Sequence, residues 1–283
     1  MRIFRWKNLI ANWEERAMFA TTAFVLYASL SAVANAGVTS VEELEFNRVQ
    51  LLGSNELEVT QGDTNLLKIR GDEDDLTPPP FVIQDDTLRL GVTPTGDQVS
   101  DLQFKLTATG LTAIMLEGSG DVYVKPLSVG DLLVSVNGSG EMRMFDIKAD
   151  ELEIRVVGSG AIQAVDVSAG DTRLNLKGSG DIQLGKLEVD TLKIHVAGSG
   201  DVSLQDAGSA RHLDVGLMGS GDIGMKGLVA KEAKVVIMGS GDVEVQVTDL
   251  LDAEILGSGD LVYYGNPKAS TSTMGSGDVI QRD

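Results

Sequence analysis

The chain has 283 residues, with 42 acidic against 23 basic side chains and a formal net charge of -19 at pH 7. A negative field of this size opposes binding to a phosphate backbone, so nucleic acid is excluded as a partner. Cysteine is absent, which excludes disulfides, thiol catalysis and metal sites built from cysteine and histidine.

Residues 1–36 are typical of an export signal. Basic side chains come first, an uncharged run follows from Ala17 to Ala36, and Ala34-Asn35-Ala36 fits the small-x-small cleavage pattern. We predict cleavage after Ala36 and an exported protein, located in the periplasm or at the cell surface. An uncleaved membrane anchor is the alternative, because the uncharged run approaches the roughly 20 residues that a spanning helix needs.

Residues 37–110 are predicted to form an irregular β segment that leads into a repeat region. Short alternating stretches such as Leu57-Glu58-Val59 and Leu67-Lys68-Ile69 predict strands. Between the strands, the acidic and proline-rich run from Gly71 to Pro80 cannot join a ladder of backbone hydrogen bonds. We therefore expect this run to be an exposed loop.

Residues 111–283 carry a regular repeat of Gly-Ser-Gly, usually followed by Asp. Its first glycines lie 18 to 21 residues apart: Gly118, Gly138, Gly158, Gly178, Gly198, Gly219, Gly239, Gly257 and Gly275. A fixed period of this size marks a solenoid, whose repeats must stack to bury their apolar faces. Apolar residues alternate on both sides of each glycine corner, which is typical of strands and excludes a helical repeat.

Three short strands joined by tight corners would make one coil, so the sequence predicts an all-β fold. The expected architecture is a right-handed parallel β-helix with Gly-Ser-Gly-Asp corners, since crossovers between parallel strands are overwhelmingly right-handed. An antiparallel sandwich is the alternative.

Glycine suits the corners because it tolerates positive φ and the close approach of the next coil. Ser and Asp side chains can form local hydrogen bonds there. Carboxylates stacked about 4.8 Å apart repel each other, however. We expect solvent and bonds to backbone N–H groups to relieve this repulsion, with a calcium ion shared between coils as the alternative. No cofactor and no metal site is predicted.

A basic patch stands out from the acidic background. Alternation places four side chains on the outer surface of the strand that leads into the corner: Arg155, Arg173, Lys193 and His195. Such a patch could grip an anionic glycan, or polarise a uronate carboxylate as β-helical lyases do. Ordinary solvated positions, partly paired with Glu153 and Asp214, are the alternative. No catalytic residues are predicted.

The repeats resemble a known family. The signature Leu/Val-x-Gly-Ser-Gly-Asp-Val/Ile, the closing run from Leu251 to Asp260 and the following Tyr264-Gly265-Asn266-Pro267 are similar to the head GIN domain family of auto-transporter adhesins. The upstream run from Val59 to Asp63 resembles that family's opening strand and turn. This resemblance covers about residues 40–280. It implies an exported β-helical protein with an adhesive role and no catalytic residues.

The predicted function is therefore an exported, non-enzymatic module for cell-surface adhesion or envelope interaction. A polysaccharide-binding protein or lyase-type β-helix enzyme is the first alternative, and a periplasmic structural module is the second. The expected partner is a glycan or a protein of the cell surface or envelope. Self-association through the solenoid ends is also expected to be feasible, because unpaired strand edges can pair with other chains.

Overall fold

The computed structural model describes residues 30–31 and 37–283. The predicted export signal at residues 1–36 lies outside the described residues, apart from the short strand Leu30–Ser31. Its cleavage after Ala36 stays a prediction. Within the described part of the chain, none of the helical structure is long and apolar enough to cross a membrane.

The described residues form one sheet of 22 strands and a single turn of 3-10 helix, Glu73–Leu76. The strands are β1 Leu30–Ser31, β2 Val38–Glu42, β3 Arg48–Gly53, β4 Glu56–Gln61, β5 Leu66–Arg70, β6 Phe81–Gln84, β7 Thr87–Leu90, β8 Gln103–Ala108, β9 Ala113–Gly118, β10 Asp121–Val124, β11 Leu127–Ser128, β12 Asp131–Gly138, β13 Glu141–Gly158, β14 Ala161–Gly178, β15 Asp181–Gly198, β16 Val202–Leu204, β17 Gly208–Gly219, β18 Ile223–Gly239, β19 Val243–Gly257, β20 Leu261–Tyr264, β21 Lys268–Gly275 and β22 Val279–Arg282.

From β9 onward the strands stack in parallel, each on its equivalent one coil away. Before the corners the ladder runs β9, β12, β13, β14, β15, β17, β18, β19 and β21. After the corners it runs β10, β13, β14, β15, β16, β18, β19, β20 and β22. The predicted all-β parallel solenoid is confirmed, while its right-handed winding stays a prediction.

At the N-terminal end, the order of the coils differs from their order in the chain. Strand β3 lies between β7 and β9, and β4 lies between β8 and β10, with all of these pairs parallel. The outermost coil, formed by β7 and β8, therefore comes later in the sequence than the coil of β3 and β4 on which it stacks. Antiparallel strands then cover this end, because β5 pairs with β8, β2 with β5, and β6 with β7.

The core is a set of apolar columns inside the solenoid. Side chains two and four residues before each first glycine point inward, as do those four and six residues after it, and nearly all are buried. Ile194, Val196, Ile182 and Leu184 illustrate the four columns. Burial of branched aliphatic side chains in every coil supplies the main stabilisation of a fold that has no disulfides.

Candidate ligand-binding surface

The Gly-Ser-Gly corners stack directly on one another. The serine N–H donates to the carbonyl of the first glycine one coil earlier, as from Ser199 to Gly178 at 2.9 Å. The first glycine has positive φ, 141° at Gly198. A Cβ added to the third residue, as at Gly200, would clash with the carbonyl oxygen of Gly180. Both glycines are therefore required by the close approach of neighbouring coils.

The aspartates after the later corners form a ladder of side-chain to backbone hydrogen bonds. The N–H of Asp222 donates to Oδ1 of Asp201 at 2.8 Å, and the N–H of Asp242 donates to Oδ1 of Asp222 at 2.9 Å. Equivalent bonds join Asp201 to Asp181, Asp260 to Asp242 and Asp278 to Asp260. Backbone amides thus partly compensate the stacked carboxylates. No cluster of three or more potential metal ligands occurs within residues 37–283.

The four predicted patch residues lie together on the outer surface before the corners. The register aligns Arg155 with Asn175 and Asn175 with His195, and it aligns Arg173 with Lys193. The four side chains thus occupy two neighbouring outward columns in three consecutive coils. We call these residues the basic patch.

Two cations of the basic patch are held in ion pairs. Nε of Arg155 donates to Oε1 of Glu153 at 2.7 Å, and this hydrogen bond raises the pKa of the Arg155 guanidinium. Nη1 of Arg173 lies 3.5 Å from Oε2 of Glu151. Glu151 was not among the partners predicted from the sequence, although alternation places it on the same outer surface. These pairs reduce the positive field that the basic patch presents to solvent.

A groove that the sequence did not predict adjoins the basic patch at Lys193. It has a volume of about 500 Å³ and crosses successive coils from Thr191 to Ser270. Its floor is formed by the inward-pointing side chains of Leu213, Ala233 and Leu251, which are buried. Its walls carry charges of both signs: Lys193, Asp214, Glu232, Lys234, Asp252 and Lys268.

One outward column of the groove is recognisable in the sequence. The residue five positions before the first glycine is charged in four consecutive coils, as Lys193, Asp214, Lys234 and Asp252, and these positions share one outer face. Within the groove, Nδ1 of His212 lies 3.1 Å from Oε2 of Glu232. Because the walls run across several coils, the groove suits an elongated ligand better than a compact one.

A model of the family described as "Putative auto-transporter adhesin, head GIN domain" matches residues 45–206 and 203–267. No curated protein matches the chain significantly. A crystal structure from Parabacteroides distasonis, described as a "putative lipid binding protein", is 25% identical with a TM-score of 0.66, covering 87% of this chain and 96% of that one.

Two further crystal structures show the same fold. A "putative adhesin" from Parabacteroides merdae is 22% identical with a TM-score of 0.65, and the alignment covers 87% of this chain and 95% of that one. A "putative adhesin" from Parabacteroides distasonis is 21% identical with a TM-score of 0.66, covering 88% of this chain and 98% of that one. The solenoid described above is therefore shared with solved relatives.

Proposed function

We propose that this chain, which belongs to the head GIN domain family described as "Putative auto-transporter adhesin", is an exported, non-enzymatic adhesion module of the cell surface. The adhesin description of the family supports an adhesive role and a location outside the cytoplasm. The long parallel ladders support it as well, because they hold many outward side chains on a rigid frame, which lowers the entropy cost of binding.

The groove between Thr191 and Ser270 is the main support for an adhesive function. Its charged walls come from consecutive coils and alternate in sign, as between Lys193 and Asp214 and between Lys234 and Asp252. Alternating charges give specificity for a ligand that offers both hydrogen-bond donors and acceptors. A glycan or a polar protein surface of the cell envelope has this character.

Two alternatives receive less support. A lyase would need free cations to polarise a uronate carboxylate, and two of the four residues of the basic patch, Arg155 and Arg173, are engaged by Glu153 and Glu151. A lyase would release an unsaturated sugar that absorbs in the near ultraviolet, so an absorbance assay separates the two functions.

The lipid-binding description of the Parabacteroides distasonis structure raises a second candidate. Charged walls are poorly suited to an acyl chain, however, because burying unpaired charges against it is costly.

The proposal is tested with beads that carry the purified full-length chain, applied to epithelial monolayers and to isolated bacterial envelopes. Coated beads should adhere more than albumin-coated beads. The double variant Lys234→Glu with Lys268→Glu should reduce adhesion several-fold, because both charges line the groove. Lys148→Glu with Lys177→Glu, at exposed positions outside the groove, is the matched control because it changes the net charge equally. Beads that adhere no better than albumin controls would overturn the proposal.

A further inference from the structure

We propose that a second surface of the solenoid binds an uncharged polysaccharide. This surface, the post-corner patch, comprises Tyr123, Phe145, Gln163, Val165 and Gln183, which lie on the strands that follow four consecutive corners. The groove and the basic patch lie on the strands before the corners. The inference names a ligand class for the proposed adhesive function and rests on that function for its biological meaning.

The register places the members of the post-corner patch in two neighbouring outward columns. Tyr123 aligns with Arg143, Arg143 with Gln163, and Gln163 with Gln183. Phe145 and Val165 occupy equivalent positions of successive coils in the second column. With about 4.8 Å between coils, four coils span about 14 Å along the solenoid axis. This length accommodates a short stretch of a linear polysaccharide.

The second column is unusually apolar for an exterior surface. Phe145 is 40% exposed and Val165 is 56% exposed. The next position of the column is Gly185, so no side chain from that coil covers Val165. An exposed aromatic ring suits the C–H face of a pyranose, because the negative face of the ring attracts the weakly positive C–H groups. The exposed part of the Phe145 ring, beside Val165, thus offers a contact surface for one sugar ring, while Nζ of Lys125 lies over one face of the Phe145 ring.

The first column supplies polar groups beside this platform. Gln183 is exposed and Gln163 is half-buried, and the register places one directly after the other. Each side-chain amide offers both donors and an acceptor, which matches a sugar hydroxyl that also donates and accepts. The repeat of amides from coil to coil favours a ligand that itself has a repeating structure.

The charges around the patch favour a neutral ligand over an anionic one. Arg143 donates two hydrogen bonds to the Glu141 carboxylate, from Nε at 2.9 Å and from Nη2 at 2.8 Å, and this pairing raises the pKa of Arg143. Nζ of Lys125 lies 3.9 Å from Oε2 of Glu58 and 5.0 Å from the centre of the Phe145 ring. Both cations therefore already have carboxylate partners.

Two carboxylates beside the post-corner patch also favour a neutral ligand over an anionic one. Asp146 and Asp166 directly follow Phe145 and Val165 in the chain, and the register places them in adjacent coils. Asp146 is exposed and Asp166 is half-exposed. Carboxylates accept hydrogen bonds from sugar hydroxyls but repel uronates and sulfated sugars. The post-corner patch thus combines apolar contacts, amides and acceptors with two cations, Arg143 and Lys125, that are each paired with a carboxylate and lie over the Tyr123 and Phe145 rings.

The test uses the purified full-length chain on an array of neutral gluco-, manno- and galacto-oligosaccharides, with oligogalacturonate as the anionic probe. At least one neutral oligosaccharide should bind, and Phe145→Ala should weaken that binding at least ten-fold. Val229→Ala is the matched control, because Val229 is also 40% exposed but lies outside the patch. Both variants should keep the wild-type melting temperature.

The other outcomes separate a failure of the post-corner patch from a failure of the adhesive function. Absence of binding to every neutral oligosaccharide at millimolar concentration overturns the inference. The inference is also overturned if Phe145→Ala binds the neutral oligosaccharide as tightly as Val229→Ala does. Binding of oligogalacturonate alone, lost in Arg173→Glu but kept in Phe145→Ala, also overturns it and leaves the adhesive function standing. Neutral binding that depends on Phe145, by a chain whose beads do not adhere to cells or envelopes, supports the patch and overturns the adhesive function.

Discussion

The backbone N–H of Asp222 donates a hydrogen bond to Oδ1 of Asp201, which lies 2.8 Å away in the preceding coil. Where Ala161 interrupts the aspartate series, the N–H of Asp181 donates instead to the carbonyl oxygen of Gly160 at 3.2 Å. The strand after the corner begins at Asp181 in that coil, but one position later in the next coil, at Val202. From Asp201 onward the carboxylate of the preceding coil accepts this backbone N–H, whereas in the three coils before that a glycine carbonyl does.

Asp222→Ala should lower the free energy of unfolding by about 1 kcal/mol, because the N–H of Asp242 loses its acceptor. Asp222→Asn keeps an oxygen acceptor and should change stability little. Asp121→Ala is a matched control, since the N–H of Glu141 donates to the carbonyl of Gly120 and not to Asp121. Urea unfolding measures all three. Equal losses in Asp222→Ala and Asp222→Asn would show that the charge matters more than the acceptor.

Gly200→Ala should destabilise the solenoid by about 1 to 3 kcal/mol or more, because its Cβ would clash with the backbone of the preceding coil. Gly224→Ala is the matched control within the same repeats. A Cβ on Gly224 meets nothing within 4 Å, so this substitution should be neutral or slightly stabilising. Thermal unfolding followed by circular dichroism compares the two. Similar melting temperatures would contradict the close stacking of the corners.

Thr172→Val should raise the free energy of unfolding by about 1 kcal/mol. Thr172 is 1% exposed in a column whose neighbouring members are Leu152 and Leu192, and its hydroxyl has no hydrogen-bond partner among the described residues. A buried hydroxyl without a partner costs free energy that valine avoids. Thr191→Val, at a half-buried surface position, should stay within about 0.5 kcal/mol of wild type. A destabilised Thr172→Val in urea unfolding would show that the hydroxyl is satisfied.

Asn55→Ala should destabilise the N-terminal coils by at least about 2 kcal/mol, because it leaves several buried backbone groups unpaired. Nδ2 of Asn55 donates to the carbonyls of Leu52 at 2.7 Å and Val99 at 2.8 Å, and Oδ1 accepts from the N–H of Leu102 at 2.9 Å. Limited proteolysis should then cut first between residues 91 and 102. The exposed Asn137→Ala is the control and should leave the cleavage pattern unchanged.

The inward columns and the parallel stacking were predictable from the sequence, because alternation and period directly reflect strand geometry. The corner at Gly53-Ser54-Asn55-Glu56 was missed. Gly53 stacks on Gly118 and Glu56 on Asp121, so this segment is equivalent to the later corners. Asn55 replaces the second glycine of the corner, and residues 62–110 separate this corner from the next, which hides the period.

The surface was less predictable than the core. The rotamer of a long side chain decides which neighbour it reaches. The pairing of Arg173 with Glu151 therefore does not follow from the period alone. The groove depends on how side chains from several coils leave space between them, which the period does not encode. The inserted position of β3 between β7 and β9 likewise depends on long-range packing, which local alternation does not encode.

Protease shaving of intact cells tests the central claim most directly, because an adhesion module must be accessible from outside. Intact and permeabilised cells are digested in parallel, and the released peptides are identified by mass spectrometry. We predict that intact cells release peptides from the repeats between Gly118 and Gly275, and that the mature N-terminus is Gly37. A chain protected in intact cells but cleaved after permeabilisation would contradict the surface location and favour a structural role inside the envelope.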